Sequence, residues 1–190
     1  YQRIAAMDFS PMQKKWAQEN RTQLVSVLNL DDAMEKFFAA YKKRPDFANT
    51  IFIITGDHAM PEIPLQNKID RYHVPLLIYS PLLKQAKTFH NIVSHFDIAP
   101  SLLAYYRANF GIKTPQQVTW VGQGLDQGTL GKGTGIAMMQ SKSQLIDFVR
   151  GNYHLSEGQL YKLDGNLNED LAPDNMKDEM SKHFELFKRK

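Results

Sequence analysis

Two uninterrupted apolar runs, each closed off by prolines, set the tightest limit on how this chain folds. "TIFIIT", residues 50–55, is β-branched and aromatic with no turn residue in it, and "HVPLLIYSP" follows at 73–81. Both are too short for an independent helix and neither alternates with polar residues. That pattern belongs to strands covered on both faces, as in parallel or mixed sheets. The two runs are therefore expected as neighbouring or near-neighbouring buried strands. Between and around them lie helical signals. "NLDDAMEKFFAAYKKRPDF" offers Asn29 or Asp31 as a cap, an apolar face of Met34, Phe37, Phe38 and Tyr41, and cations before Pro45. "HFDIAPSLLAYYRANFGI" has Asp97 as a cap, Pro100 in the first turn and Gly111 as a stop.

Residues 111–135 are crowded with glycine and proline and hold no sustained period, which marks a long surface loop. The "GKGTG" within it lacks the spacing of a phosphate-binding loop. Beyond it, "GIAMMQ", "QLIDFVRGNYHL" and "QLYKLD" suggest short strands turning at Gly151-Asn152 and Glu157-Gly158. Met176, Met180, Phe184 and Phe187 then form the apolar stripe of a terminal helix. The order implies an α/β portion over residues 1–110, a loop over 111–135 and a small antiparallel α+β portion over 136–190.

Charge and composition exclude several functions. The net charge is only +3 over 190 residues, and the basic residues are scattered, so no nucleic-acid-binding stripe exists. With no cysteine, disulfides, thiolate metal sites and cysteine nucleophiles are ruled out. No apolar run reaches the roughly 18 residues needed to span a bilayer. The opening "YQRIAAMDFSPMQ" has neither a signal peptide's pattern nor an initiator methionine, so the chain is expected to be a piece of a longer protein.

The chemistry-bearing candidate is Asp57-His58, directly after the first apolar run and Gly56. Loops at the carboxyl end of a strand are where open α/β sheets bind ligands. One carboxylate and one imidazole suit manganese, magnesium, calcium or zinc, although a complete site needs four to six ligands. The competing reading is an aspartate that structures the turn, beside a solvated histidine. His73 precedes the second run at the same sheet edge and could face the same cleft, or simply pack. His95, ahead of a helix N-terminus, could orient an anion or be structural. Lys68 and Arg71 could hold an oxyanion, with solvated charge the simpler reading. His90, His154 and His183 have no ligand-spaced partners and receive no role.

Four stretches, "NTIFIITGDHAM", "RYHVPLLIYSP", "SHFDIAPSLL" and "GQLYKLDGNLNEDLAP", resemble in order and spacing segments of the sulfatase branch of the alkaline phosphatase superfamily. The resemblance covers about residues 30–175. Asp-His rather than Asp-Asn after Gly56 is most similar to the lipoteichoic-acid synthase and phosphoglycerol transferase subgroup. It implies part of an alkaline-phosphatase-like sheet with helices on both faces. It also implies a metal site of one divalent ion with Asp57 and His58 as ligands, and His73 and His95 near a sulfate or phosphate ester. The family's nucleophile and its other metal ligands lie in an N-terminal half, and the sulfatase signatures C-x-P-x-R and S-x-P-x-R are absent here. The N-terminal half of the same protein is thus the implied partner, the isolated chain is expected to be inactive, and membrane attachment would come only from upstream. The cell envelope is the implied location. The rival is a non-catalytic α/β module that binds an anionic glycan or protein.

Overall fold

The computed structural model describes residues 2–125, 135–141 and 144–189. Its contacts divide the chain into two compact units. One comprises Tyr1–Gln66 with Asp70–Ala86, the other Asn67–Ile69 with Lys87–Lys190.

The first unit opens with helices α1 (Gln2–Ala5), α2 (Pro11–Glu19) and α3 (Arg21–Tyr41). A reciprocal cap starts α2: the Gln13 N–H donates to Ser10 Oγ at 3.3 Å, and the Ser10 N–H donates to Gln13 Oε1 at 2.9 Å. Helix α3 begins at Arg21, well before the expected caps Asn29 and Asp31, which lie inside it. "RTQLVSVL" has no glycine or proline to interrupt a helix, and Asp31 and Asp32 pair with Arg3 of α1 instead of capping.

Strands β1 (Phe52–Thr55) and β2 (Leu76–Tyr79) pair with each other, with Phe52 opposite Tyr79 and Thr55 opposite Leu76. The ladder is antiparallel, a correction to the parallel or mixed sheet suggested by the unbroken apolar runs. α3 covers one face through an aromatic cluster. Phe52 lies 4.9 Å from Phe38, 5.0 Å from Tyr41 and 5.9 Å from Tyr79, measured between ring centroids. Phe52 is buried, but Leu77, Ile78 and Tyr79 are 53%, 44% and 38% exposed, so β2 is not the buried strand expected. Among the described residues of this unit the sheet has two strands. Runs apolar enough for a sheet covered on both sides therefore leave much of their surface in water.

The second unit holds α4 (Ile98–Phe110) and a five-stranded antiparallel meander. Its strands are β3 (Ile136–Ser141), β4 (Gln144–Arg150), β5 (Tyr153–Ser156), β6 (Gln159–Leu163) and β7 (Glu169–Leu171), adjacent in that order. Glu157 (φ 49°) and Gly158 (φ 77°) supply the two consecutive left-handed residues of a tight β5–β6 turn. On one sheet face, Phe148, Leu155 and Leu160 pack with Met180 and Phe184 of helix α5 (Lys177–Lys188). On the other, Val149 and Leu163 enclose Ile69. Gly111 ends α4 in the left-handed conformation (φ 64°), as expected. Asp97 starts it, but its carboxylate does not cap the helix. It accepts the Ser94 N–H and hydroxyl at 2.7 and 2.9 Å and the Gln123 N–H at 2.8 Å, which ties the following loop back to the helix start. Residues 111–125 form no regular element, and residues 126–134, with most of "GKGTG", lie outside the described residues. Among the described residues no helix is long and apolar enough to cross a membrane.

Candidate active site

Gly56 lets the chain leave β1 close to the start of β2. A Cβ there would stand 3.3 Å from Val74 Cβ and Cγ1, tighter than ordinary packing. The turn that follows presents Asp57 and His58 to solvent, their side chains 91% and 69% exposed. Two local hydrogen bonds orient them. The His58 backbone N–H donates to Asp57 Oδ1 at 3.0 Å, and the His58 Nδ1–H donates to the Ala59 carbonyl at 2.8 Å. With Nδ1 so engaged, the neutral ring carries its lone pair on Nε2. That nitrogen lies 3.6 Å from Asp57 Oδ2. Two ligands at about 2.0–2.2 Å from one ion sit roughly 3 Å apart, so a small side-chain rotation lets both reach a common cation. The pair fits a metal as two donors. Among the described residues no group of three or more His, Asp or Glu side chains could hold one, so any complete shell draws on further ligands.

His58 also lines a cleft of about 400 Å³ within the first unit, together with Trp16, Met60, Ile63, Asp70 and His73. Strand β2 and the short turn before it bring His73 there, and its backbone N–H donates to the Asp70 carbonyl at 3.1 Å. His58 and His73 both line this cleft, and Asp57 is not among its lining residues. His95 lies in the second unit, exposed, in the turn ahead of α4, and is not among the residues lining the cleft. Lys68 pairs with Glu157 at 2.8 Å rather than standing solvated alone, and the Arg71 guanidinium lies 6.0 Å from the Tyr72 ring centroid.

The Ala59 carbonyl first, and the Asp57 carboxylate second, hold the His58 imidazolium above its ordinary pKa of 6.5. Because the folded value is raised, the stabilisation from these contacts is full below the unfolded pKa and is lost as pH rises through the folded one. A proton also competes with a cation for Nε2, so cation binding strengthens as pH rises through the same value. In the metal-free chain an NMR titration of His58 should show a midpoint above 6.5. In Asp57→Asn the midpoint should fall only part of the way back, because the larger cause, the Ala59 carbonyl, remains. A midpoint at or below 6.5 in the unmodified chain would contradict this geometry.

One polar cluster escaped sequence reasoning. His154, fully buried on β5, lies between two carboxylates: its Nδ1 pairs with Glu169 of β7, and its Nε2 lies 3.3 Å from Asp147 Oδ1 of β4. The signal was in the hairpin register. A two-residue turn at Gly151-Asn152 sets Val149 opposite His154 and so puts Asp147 on the same face. Glu169 gave no such signal, because β7 is three residues long and reads "EDL".

No curated protein and no solved structure matches the chain. The family model described as Sulfatase matches residues 2–107. The match takes in both apolar runs, Asp57-His58, His73 and most of α4, and ends before the C-terminal meander. With more than half of its residues matched, the chain belongs to the sulfatase family, a family of hydrolases that generally use a divalent metal.

Proposed function

We propose that this chain forms part of a metal-dependent hydrolase or phosphoglycerol transferase acting on sulfate or phosphate esters, of the lipoteichoic-acid synthase-like subgroup. One observation carries the reading: Asp57 Oδ2 and His58 Nε2 lie 3.6 Å apart beside a cleft that also takes in His73. Asp57 supplies an anionic oxygen and His58 a nitrogen whose lone pair is aimed by the Ala59 contact. A bound divalent cation (manganese, magnesium, calcium or zinc) would neutralise charge on the transferred group and lower the pKa of the attacking hydroxyl. His73 donates an N–H to the anionic group or to the leaving oxygen. The remaining ligands and the nucleophile come from an N-terminal portion of the same protein, because two donors cannot hold an ion alone. That portion also brings any membrane attachment, and the cell envelope is the proposed site of action.

The reading is tested by assaying the isolated chain beside the complete protein on an aryl sulfate and an aryl phosphate. The complete protein should turn over one of them in a manganese- or zinc-dependent manner, and the isolated chain neither. Turnover by the isolated chain would mean that a nucleophile lies within these residues. Inactivity of the complete protein with every cation would favour the anion-binding module instead.

A further inference from the structure

Residues 67–69 interrupt the first unit: the chain runs through that unit to Gln66, joins the C-terminal sheet for three residues, and returns at Asp70. These three residues are held closely. Ile69 is buried against Val149 and Leu163. The Lys68 backbone N–H donates to Glu169 Oε2 at 2.7 Å, and the Glu169 N–H donates to Asn67 Oδ1 at 3.3 Å. Glu169 is thus the common anchor, and its other oxygen is committed to His154 Nδ1.

The buried cluster fixes where Glu169 points. A neutral imidazole has one N–H, yet both ring nitrogens of His154 face carboxylate oxygens. Nδ1 is hydrogen-bonded to Glu169, whereas Nε2 and Asp147 Oδ1, 3.3 Å apart, make no hydrogen bond with each other, so the Nδ1 contact is the one that holds the Glu169 carboxylate. Beside the cluster lie Lys68, whose Nζ is paired with Glu157, and Tyr161, whose ring centroid is 6.2 Å from that of His154. Ile69, Ile92, Met138 and Leu167, packed around Val149 and Leu163, are apolar.

We propose that Glu169, set by His154, is a positioning residue for the His58–His73 cleft. It clasps residues 67–69 and thereby fixes the ends of the two stretches, 58–66 and 70–75, that supply most of the cleft wall. Covalent continuity alone carries the effect: Gln66 and Asp70 both line the cleft, and each is bonded directly to the clasped segment. The proposal rests on the reading of that cleft as the reaction site. Its readouts come from the metal-free chain, so their failure would leave the metal-site reading standing, and a failed metal site would leave them intact.

The experiment compares Glu169→Ala with Glu169→Gln by amide hydrogen exchange and by the imidazole nitrogen signals of His58 and His73. Glutamine keeps a carbonyl for the Lys68 N–H, and its NH2 can donate to a His154 Nδ1 that carries the ring's lone pair. It should therefore retain the wild-type behaviour. Alanine keeps neither contact. In Glu169→Ala, the Lys68 amide and the hydrogen-bonded amides of His58, Ile63 and Gln66 should exchange roughly ten-fold faster or more, while those of 153–163 keep their rates. The His58 and His73 signals should shift in the alanine variant and not in the glutamine variant. Acceleration confined to Lys68, with unchanged histidine signals, would overturn the proposal, as would equal effects of the two substitutions. Should Glu169→Ala fail to fold, Asn67→Ala, which removes the acceptor for the Glu169 N–H, takes its place. Faster exchange of the His58, Ile63 and Gln66 amides with shifted histidine signals in that variant would support the clasp, and unchanged rates and signals would overturn it.

Discussion

Asp57→Asn in the complete enzyme should strip most of the bound metal and activity while leaving the melting temperature of the metal-free protein almost unchanged. The substitution separates charge from shape. Asparagine keeps an Oδ1 that accepts the His58 backbone N–H, so the turn after Gly56 retains its hydrogen bond. It loses the anionic Oδ2 that lies 3.6 Å from His58 Nε2. His58→Ala removes the nitrogen donor itself. Outer-shell metal partners typically cost roughly 10–100-fold when replaced, so each of these two ligands should cost more than that in activity or affinity. Both side chains are largely exposed, so neither change opens a cavity. A purely turn-structuring pair predicts the reverse: a stability loss of about 1 kcal/mol, as for a lost cap, with metal content intact. Metal stoichiometry measured alongside melting of the two variants distinguishes these outcomes. An unchanged stoichiometry in both would remove Asp57 and His58 from the metal site.

The sequence exposed this pair because position and chemistry coincide there. An unbroken apolar run forces a strand, a glycine releases it, and the first two polar residues afterwards emerge at the strand's end. His73 stands ahead of the second run, and the antiparallel pairing of β1 and β2 brings the start of β2 to the same edge as the end of β1. The helical face of Phe37, Phe38 and Tyr41 also sits where its spacing put it, against Phe52. Strand direction was not legible. Two apolar runs look alike whether paired parallel or antiparallel, and the long connection between them is compatible with either. Burial was overestimated for a related reason: periodicity reports what a strand is suited to contact, and β2 in this unit has few such partners. The start of α3 was missed because Asn29 and Asp31 look like caps, although a helix propagates through them when nothing upstream breaks it. The Asp147–His154–Glu169 cluster required four strands, β4 to β7, in register, and turn motifs encoded only the first two of its hairpins.

Phe148→Ala should be the most destabilising single substitution in the C-terminal unit, by about 3–5 kcal/mol, the range typical of a fully buried phenylalanine. Phe148 is 0% exposed and sits at the centre of the meander's helix-covered face. Its ring stacks on Phe184 with centroids 5.2 Å apart at 16°, and Phe187 lies 5.9 Å away. On its other side it fills the space that a side chain at Gly135 would occupy: a Cβ there would lie 2.2 Å from Phe148 Cζ. Gly135 also has φ 99°, so the backbone is specialised for this close approach. Removing the ring leaves a void between a sheet and a helix that hydrogen-bonded strands cannot readily collapse to fill. For a chain of this size the loss corresponds to a fall in melting temperature on the order of 10 °C. Phe37→Ala is the contrasting variant. That ring is 46% exposed on α3, within the aromatic cluster of the first unit, and its removal should cost well under half as much. Denaturant melts of the two variants give the comparison directly. If Phe148→Ala cost no more than Phe37→Ala, the stack on α5 would not be the centre of the C-terminal core, and the helix would have to be held to the sheet by its other contacts.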